Sequence, residues 1–229
     1  VGEGVTHLKP GDRVVAETTY EYCMVCEYCM LGDTSNCKNR KGLGTGADGF
    51  MAEYVVSLGS RTHKIPDFLS FEAASILEPC ICSLQGVFFK ANLKPYQYVL
   101  VSGPGPIGLF AAQCAKLNGA TVLLAGTGRS APRLAFAQKE FGVDYAINID
   151  EEDLVEAVRR ITCGRMVDAA FEASGAESSV LACIDALAID GTYCWLGSSH
   201  GAEIVFPYDL MLANKNLTMV GARATNPAG

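Results

Sequence analysis

The second half of the chain alternates apolar strands with amphipathic helices, and this alternation limits the possible folds more than any other feature. The predicted strands are Tyr98–Ser102, Thr121–Ala125, Ala146–Ile149, Val167–Glu172, Gly191–Leu196 and Leu217–Val220. The predicted helices between them are Ile107–Leu117, Ala131–Phe141, Leu154–Ile161 and Ser178–Ala188. Nearly continuous apolar strands separated by helices are typical of a parallel sheet covered on both faces. We therefore predict an α/β domain with a doubly wound parallel sheet over residues 91–229.

Residues 1–90 follow a different pattern, with short strands and loops before the first helical spacing. Strands are predicted at Asp12–Ala16 and, from its alternating character, at Gly49–Val56. From Ser70 to Phe89 the spacing predicts one or two helices, interrupted at Pro79 because proline cannot donate a backbone hydrogen bond inside a helix. The sequence thus predicts a β domain at the start of the chain.

A cysteine-rich lobe over residues 20–48 interrupts this β domain. Its four cysteines, in the spacing C-x2-C-x2-C-x7-C, are Cys23, Cys26, Cys29 and Cys37. Four thiolates at this spacing can surround one Zn²⁺ ion and leave no open position for substrate or water. Two disulfides are an alternative, although cysteines three residues apart in a tight turn rarely reach disulfide geometry; an iron–sulfur cluster is another. We predict a structural zinc site.

A glycine-rich loop joins the first strand of the sheet to its first helix. The loop is Gly103-Pro104-Gly105-Pro106-Ile107-Gly108 and fits the G-x-G-x-x-G pattern. The first glycine allows a tight turn, the second a close approach of pyrophosphate, and the third close packing of the helix on the strand. The helix N-terminus adds N–H groups and a positive dipole end. In this context Gly103, Gly105, Pro106, Ile107 and Gly108 are predicted to bind a dinucleotide; a plain strand-to-helix turn is the alternative.

The end of the second predicted strand indicates which dinucleotide is bound. NAD-binding chains usually carry Asp or Glu there, for the ribose 2′-hydroxyl. This chain has Gly126-Thr127-Gly128-Arg129-Ser130, without a carboxylate. A missing acid removes repulsion against a 2′-phosphate, and a guanidinium suits that group. Gly128 and Arg129 therefore predict NADP in preference to NAD, unless Arg129 is only a solvated residue at a helix start and either cofactor binds.

Composition narrows the possible partners and the compartment. The net charge of −7 argues against a non-specific surface for nucleic acid or anionic membranes. Apolar stretches are broken by glycine and proline well short of a membrane span. Ten cysteines, four of them in one cluster, fit a reducing compartment. We expect a cytoplasmic protein with a small-molecule partner, and neither nucleic acid nor membrane as a partner.

Several motifs stand in an order that points to one family. They are the cysteine lobe, the turn Gly11-Asp12-Arg13-Val14, the predicted strand at Gly49–Tyr54, the pair Glu78-Pro79 and the Gly103 loop. This order resembles the zinc-dependent medium-chain dehydrogenases of the alcohol dehydrogenase superfamily. Glu78-Pro79 is similar to the polyol (sorbitol or iditol) dehydrogenase branch, where alcohol dehydrogenases proper tend to have cysteine. The resemblance implies a GroES-like catalytic domain over residues 1–90 and a Rossmann domain over residues 91–229.

The resemblance also implies a reaction and further site residues. It places Glu78 at a catalytic zinc ion, as a ligand or as the group that holds the zinc-bound water; an exposed helix carboxylate is the alternative. Ser174 with Gly175, and Leu196 with Gly197, would line the nicotinamide. The implied reaction is hydride transfer between the CH–OH group of an alcohol or polyol and NAD(P), with zinc as Lewis acid. Such enzymes are often homodimers or homotetramers.

The chain departs from the family pattern at both ends. The segment with the other catalytic zinc ligands is absent, and His7, His63 and His200 lack metal-ligand neighbours at a useful spacing. The closing part of the Rossmann domain is absent too. We expect a fragment that binds a dinucleotide but does not oxidise alcohols by itself. Two alternatives are a non-catalytic dinucleotide-binding module of this superfamily and a zinc-free enone or quinone reductase, which usually lacks the cysteine lobe.

Overall fold

The structure, a computed structural model, describes residues 1–222 as two compact units. The first unit is residues 1–78 and the second begins at Pro79. The sequence placed the boundary later, after residue 90. The difference arises because the segment after Pro79 packs on the sheet of the second unit, where Val87 is fully buried in the core. Residues 223–229 of the predicted second domain lie outside the described residues.

The first unit is built from short strands and helices. Its strands are β1 (Val14–Ala16), β2 (Thr19–Glu21), β3 (Lys41–Gly42) and β4 (Thr62–Lys64). Its helices are α1 (Glu27–Met30) and α2 (Phe71–Ala74), with 3-10 turns at Thr34–Asn36 and Gly59–Arg61. Strands β1 and β4 pair antiparallel, and so do β2 and β3. The cysteine lobe is the excursion between β2 and β3.

A buried arginine ties the cysteine lobe to the strands beside it. The guanidinium of Arg61 donates to Glu17 Oε2 at 3.0 Å and to Thr34 Oγ1 at 2.6 Å. It also lies over the ring of Tyr22, 4.7 Å from its centroid. Arg61 is only 8% exposed, so losing one partner would leave a buried charge uncompensated. The lobe is therefore held in place by side-chain contacts as well as by its own turns.

The strand predicted at Gly49–Val56 is absent from the structure. Met51 and Tyr54 would lie on opposite faces of a strand, yet they are 103% and 91% exposed, so neither face is buried there. A strand is stabilised by pairing with a neighbour and by burying one face. Within residues 1–222 no strand pairs with this segment. The alternation of apolar and polar residues alone was not enough to form a strand. The prediction of a strand at Gly49–Val56 was wrong for the described chain.

The helical interruption predicted at Pro79 lies instead at Ser75 and Ile76. Helix α2 ends at Ala74, and α3 (Leu77–Leu84) runs through the proline. Pro79 is the third residue of α3, in the first turn, where a backbone N–H has no partner within the helix. The proline therefore costs no helical hydrogen bond. A π-helical turn, Gln85–Lys90, continues α3.

The second unit is a six-stranded parallel sheet with helices on both faces. Its strands are β5 (Tyr98–Ser102), β6 (Thr121–Gly126), β7 (Tyr145–Asn148), β8 (Val167–Glu172), β9 (Leu187–Trp195) and β10 (Thr218–Gly221). Its further helices are α4 (Pro106–Leu117), α5 (Ala131–Phe141), α6 (Leu154–Ile161) and α7 (Glu177–Ala186). The strand order is β7-β6-β5-β8-β9-β10, which reverses direction between β5 and β8. This confirms the predicted doubly wound sheet and puts its ligand crevice at that reversal.

Strand β9 is longer than predicted, at the expense of the preceding helix. Helix α7 ends at Ala186, whereas the sequence predicted helix to Ala188. The strand begins at Leu187 and its register against β8 shifts between Val167 and Ala169. Asp190, with φ of +60°, takes the left-handed turn that this irregularity requires. Apolar spacing could not separate helix from strand at this junction.

Alternate residues of the central strands supply the two cores. Val99 and Val101 of β5 lie in one core cluster, and Leu100 between them lies in the other. On β6, Val122 and Leu124 face the first cluster, whereas the intervening leucine faces the second. Both faces are buried, as expected for a parallel sheet between helices. Among residues 1–222 no helix is long and apolar enough to cross a membrane.

Replacing Lys215 by methionine is expected to lower the free energy of unfolding of the second unit by about 2 kcal/mol. The ammonium of Lys215 donates to the carbonyl oxygens of Ile184, Asp185 and Leu187 at 3.0, 2.7 and 2.7 Å. Ile184 and Asp185 lie in the last turn of α7 and Leu187 is its C-cap residue, so these carbonyls have few backbone N–H groups of the helix to bond to. Urea unfolding followed by the fluorescence of Trp195, which lies in this unit, measures the loss.

Lys139→Met is the matched control for this prediction. Its ammonium pairs with Glu140 at 2.8 Å, but its side chain is 82% exposed. Exposed pairs of this kind contribute about 0–1 kcal/mol. Equal midpoints for the two variants would contradict the capping role assigned to Lys215.

Candidate functional site

The four cysteines of the lobe form one cluster. Their sulfur atoms all lie within 4.8 Å of one another, and Cys23 Sγ is 3.6 Å from Cys37 Sγ. Sulfur atoms on a tetrahedral zinc ion at about 2.3 Å per bond lie about 3.8 Å apart. All four are free thiols, so neither of the two alternative disulfides is formed. The donor set and its spacing fit a closed Zn²⁺ site.

Backbone N–H groups of the lobe point at these sulfur atoms. Cys23 N donates to Cys37 Sγ at 3.3 Å, and Cys26 N donates to Cys23 Sγ at 3.4 Å. Hydrogen bonds from the backbone N–H of Val25 and Cys26 lower the pKa of Cys23 to about 6, whereas desolvation raises the pKa of Cys29 to about 12. A bound zinc ion deprotonates its thiol ligands outright. The turns thus favour thiolates at part of the cluster before any metal binds.

Glu78 and the three histidines lie outside this cluster. Within residues 1–222 the cysteines are the only group of three or more cysteine, histidine or acidic side chains close enough to hold one metal ion. Glu78 is an exposed residue in the first turn of α3. His63 pairs with Glu17 Oε1 at 2.8 Å, and His7 and His200 are likewise exposed. The described chain therefore brings together one candidate metal site, not two.

The glycine loop has the geometry that its motif predicts. Gly103 has φ of +100°, and a Cβ there would lie 2.9 Å from Ser174 N. A Cβ on Gly108 would overlap the carbonyl oxygen of Gly103. In contrast, a Cβ on Gly105 would meet nothing within 4 Å. Two of the three glycines are thus required by packing, and the middle one leaves open space beside the backbone.

Helix α4 begins directly after this open position. Gly105 is its N-cap residue, and Pro106 is its first residue. The first turn of the helix leaves N–H groups without helical partners, with the positive end of the dipole behind them. The hydroxyl of Ser83, which is fully buried, lies 2.9 Å from Pro79 O and 2.8 Å from Ile107 O, and its one proton links this turn to α3 by donating to either carbonyl. The loop and the helix start together form an anion site of the type that binds pyrophosphate.

The loops after β8 and β9 meet at the same edge of the sheet. Gly175 has φ of +74°, and a Cβ there would overlap Ser198 O. Leu196 N and Gly197 N both donate to Glu172 O, at 2.9 and 2.8 Å. Together with the contact between Gly103 and Ser174, these contacts bring the three loops to the point where the strand order reverses. The residues predicted to bind the pyrophosphate and those predicted to line the nicotinamide therefore lie on one edge of the sheet.

Glu172, the last residue of β8, is a site residue that the sequence reasoning missed. It is fully buried, and its carboxylate accepts hydrogen bonds from Ser174, Gly175 and Ser179. The signal in the sequence is an acidic residue that closes an otherwise apolar strand. Such a residue is rarely buried unless its charge is satisfied.

A second missed carboxylate lies beside the turn of Gly128 and Arg129. Gly128 N donates to Asp150 Oδ2 at 2.8 Å, and Asp150 follows β7. The dinucleotide-binding pattern predicts an acid only at the end of β6, but the carboxyl ends of parallel strands share one edge. Arg129 is exposed and makes no ion pair with the described residues. A cation and a carboxylate therefore flank this turn.

Comparisons with known proteins identify the family. Residues 106–228 match the family described as zinc-binding dehydrogenase, and residues 1–67 match the alcohol dehydrogenase GroES-like domain. The chain belongs to the zinc-binding dehydrogenases. This confirms the family that the order of motifs resembled, and the GroES-like and Rossmann parts predicted from it.

Relatives of this dehydrogenase chain include polyol and alcohol dehydrogenases. A sorbitol dehydrogenase of Halalkalibacterium halodurans is 40% identical over 228 residues, which are 100% of this chain and 66% of that relative. A solved NAD-dependent alcohol dehydrogenase superposes with a TM-score of 0.90 at 31% identity, over 100% of this chain and 65% of the other. A structure from Sinorhizobium meliloti 1021, described as a zinc-binding dehydrogenase bound to NADP, has a TM-score of 0.88 at 28% identity, over 99% and 66%. This chain thus spans slightly less than two thirds of these proteins.

Proposed function

We propose that the whole protein transfers a hydride between the CH–OH group of an alcohol or polyol and NAD(P). The observation that carries this proposal is the glycine loop at the strand reversal, with open space beside Gly105 and the start of α4 behind it. When bound, the nicotinamide accepts or donates the hydride, and a catalytic zinc ion polarises the substrate oxygen. A polyol is favoured because a relative at 40% identity is a sorbitol dehydrogenase.

The proposal assigns a role to each part of the chain. The second unit, which begins at Pro79, is the dinucleotide domain, with the pyrophosphate on Gly103–Gly108 and the nicotinamide near Ser174, Gly175, Leu196 and Gly197. The first unit, residues 1–78, belongs to the catalytic domain, in which Cys23, Cys26, Cys29 and Cys37 hold a structural zinc ion. Glu78 acts at the catalytic zinc ion of the whole protein. We expect that protein to be a cytoplasmic homo-oligomer, a dimer or a tetramer.

NADP is the proposed cofactor, on the strength of Arg129. Its guanidinium is exposed beside the turn where a 2′-phosphate would lie, and β6 ends without an acid. Asp150 opposes this preference because its carboxylate takes the N–H of Gly128 and repels a phosphate. The exposed arginine can turn towards the ligand, whereas the carboxylate is held by its hydrogen bond to the backbone. The net preference therefore depends on both side chains.

Arg129→Ala is expected to weaken NADPH binding about tenfold and to change NADH binding less than about twofold, since a charge-assisted contact to phosphate is lost. Fluorescence titration of both reduced cofactors measures the two affinities. Asp150→Asn is the matched variant, because it removes a negative charge beside the same turn. It should strengthen the binding of NADPH more than that of NADH. Equal losses for both cofactors in Arg129→Ala would contradict the assignment of NADP.

Metal content and cofactor titration of the same purified chain test the proposed function. We expect one zinc ion per chain, saturable dinucleotide binding and no oxidation of sorbitol by this chain alone, because the described residues form only one metal cluster. Two zinc ions, or alcohol oxidation that a chelator abolishes, would show that this chain carries the catalytic metal. Absence of dinucleotide binding would overturn the proposal. Activity without zinc on an enone or quinone would favour a zinc-free reductase.

A further inference from the structure

The carboxylate of Glu172 is the most completely enclosed charge in the second unit. Its residue is 0% exposed, and its oxygens accept hydrogen bonds from two backbone N–H groups and two hydroxyls. A carboxylate that only accepts hydrogen bonds behaves as the ionised form does. Such a charge costs several kcal/mol to bury unless it is satisfied, as it is here.

No cation neutralises this charge among the described residues. The ion pairs of the second unit involve Lys116, Lys139, Arg159, Arg160 and Arg165, and none of them includes Glu172. Its partners are instead dipoles: the N–H of Ser174 at 2.9 Å, the N–H of Gly175 at 3.1 Å and the hydroxyl of Ser179 at 2.9 Å. Ser179 lies in the first turn of α7, whose dipole also favours an anion. The negative charge is therefore stabilised but not cancelled.

The same carboxylate connects the phosphate loop with the loops after β8 and β9. Since Ser179 donates its proton to Glu172, the hydrogen bond of 2.7 Å between Ser179 and Ser102 must be donated by Ser102. Ser102 ends β5 and directly precedes Gly103. On the other side, Gly197 packs so closely that a Cβ there would lie 2.7 Å from Glu172 Oε2. One side chain thus joins the phosphate loop to the loops after β8 and β9.

We propose that Glu172 is a positioning residue of the dinucleotide site, and that its uncancelled charge makes the site favour the oxidised cofactor over the reduced one. The first part rests on the hydrogen bonds above, and the second rests on the proposed function. The nicotinamide ring is cationic when oxidised and neutral when reduced. A fixed negative charge beside its site therefore stabilises the oxidised form selectively.

The arrangement of the hydrogen bonds allows charge and anchoring to be tested separately. Oε1 accepts from Ser174 N, Ser174 Oγ, Gly175 N and Ser179 Oγ, whereas Oε2 shares only the N–H of Gly175. In Glu172→Gln the amide oxygen can take the place of Oε1 and keep these bonds. Glu172→Gln thus removes mainly the charge, and Glu172→Ala removes the anchor as well.

The test of the charge is the ratio of the dissociation constants of oxidised and reduced cofactor, measured by titration of the whole chain. In Glu172→Gln this ratio should rise about three- to tenfold, as expected for one charge acting through a partly polar medium. Glu177→Gln is the matched control, because Glu177 is an exposed carboxylate five residues further along the chain, and its ratio should stay within about twofold. An unchanged ratio in Glu172→Gln would overturn the electrostatic part.

The test of the anchor is amide hydrogen exchange, which needs no cofactor. In Glu172→Ala the amides of Ser174 and Gly175 should exchange at least about tenfold faster, while the amide of Val122, bonded to Asp144 Oδ2 at 2.7 Å, should not change. Equal protection in wild type and variant would overturn the anchoring role. If the alanine variant does not fold, Glu172→Met decides by the same criterion, since its side chain fills a similar space but has no oxygen to accept the N–H of Ser174. Failure of the wild type to bind any dinucleotide overturns the proposed function and the electrostatic part, but leaves the exchange result to decide the anchor.

Discussion

Cys26→Ser is expected to reduce the zinc content from one ion per chain to near zero and to unfold the cysteine lobe. Three thiolates and a hydroxyl hold Zn²⁺ far less tightly than four thiolates, and structural zinc contributes about 10 kcal/mol or more to the folding of small zinc-binding segments. Apart from the contacts of Arg61 with Thr34 and Tyr22, the lobe has little else to stabilise it, because α1 is four residues long and buries none of them. Metal analysis by mass spectrometry measures the zinc, and limited proteolysis should show new cleavage within residues 20–48.

Cys163→Ser is the control for this experiment. Cys163 is an exposed thiol in the turn after α6, outside the lobe, so its loss should leave both zinc content and proteolysis unchanged. Retention of a full zinc ion by Cys26→Ser would show that the cluster is not the zinc site. A wild-type chain that contains iron with sulfide would instead support the iron–sulfur alternative.

Gly108→Ala and Gly105→Ala are expected to fail in different ways. The added methyl group of Gly108→Ala would overlap the carbonyl oxygen of Gly103, so α4 must shift away from the loop. The free energy of unfolding of the second unit should fall by about 3 kcal/mol or more. At Gly105 the methyl group meets nothing within 4 Å, and φ is −79°, so stability should stay within about 0.5 kcal/mol.

For cofactor binding, Gly105→Ala should be the variant with the specific effect. Gly105→Ala fills the space through which pyrophosphate approaches the backbone, so dinucleotide affinity should fall at least about tenfold in a fully folded protein. Urea unfolding read by Trp195 fluorescence and cofactor titration, carried out on both variants, give the two quantities. A Gly105→Ala variant that binds dinucleotide as well as the wild type would refute the pyrophosphate site at this loop.

Sequence patterns predicted the structure correctly where the physical requirement lies within one short segment. Four cysteines at fixed spacing must converge if they are to bind one metal ion, and their sulfur atoms do converge. Apolar strands such as Tyr98–Ser102, followed by a glycine loop and a helix, have few folds in which to bury themselves. The family was likewise evident from the order of these motifs, and the comparisons confirmed it.

Patterns failed where the outcome depended on a distant partner. Gly49–Val56 alternates like a strand but has no pairing partner among the described residues. Pro79 looked like a helix breaker, but its position in the first turn of α3 makes it harmless. A pairing partner decided the first case and the start of a helix decided the second. The periodicity of apolar residues records neither.

The amino-acid sequence by itself determined the parallel sheet, the convergence of the four cysteines and the glycine loop at the start of a helix, because each depends on spacing along a short stretch of chain. Only the tertiary structure decided what surrounds the two ends of the dinucleotide site. Asp150 reaches Gly128 from the next strand, and Glu172 joins Ser174 and Ser179 to the strand that precedes Gly103. Parallel strands bring their carboxyl ends to one edge, so side chains far apart in sequence lie along one candidate site. No local pattern records these neighbours.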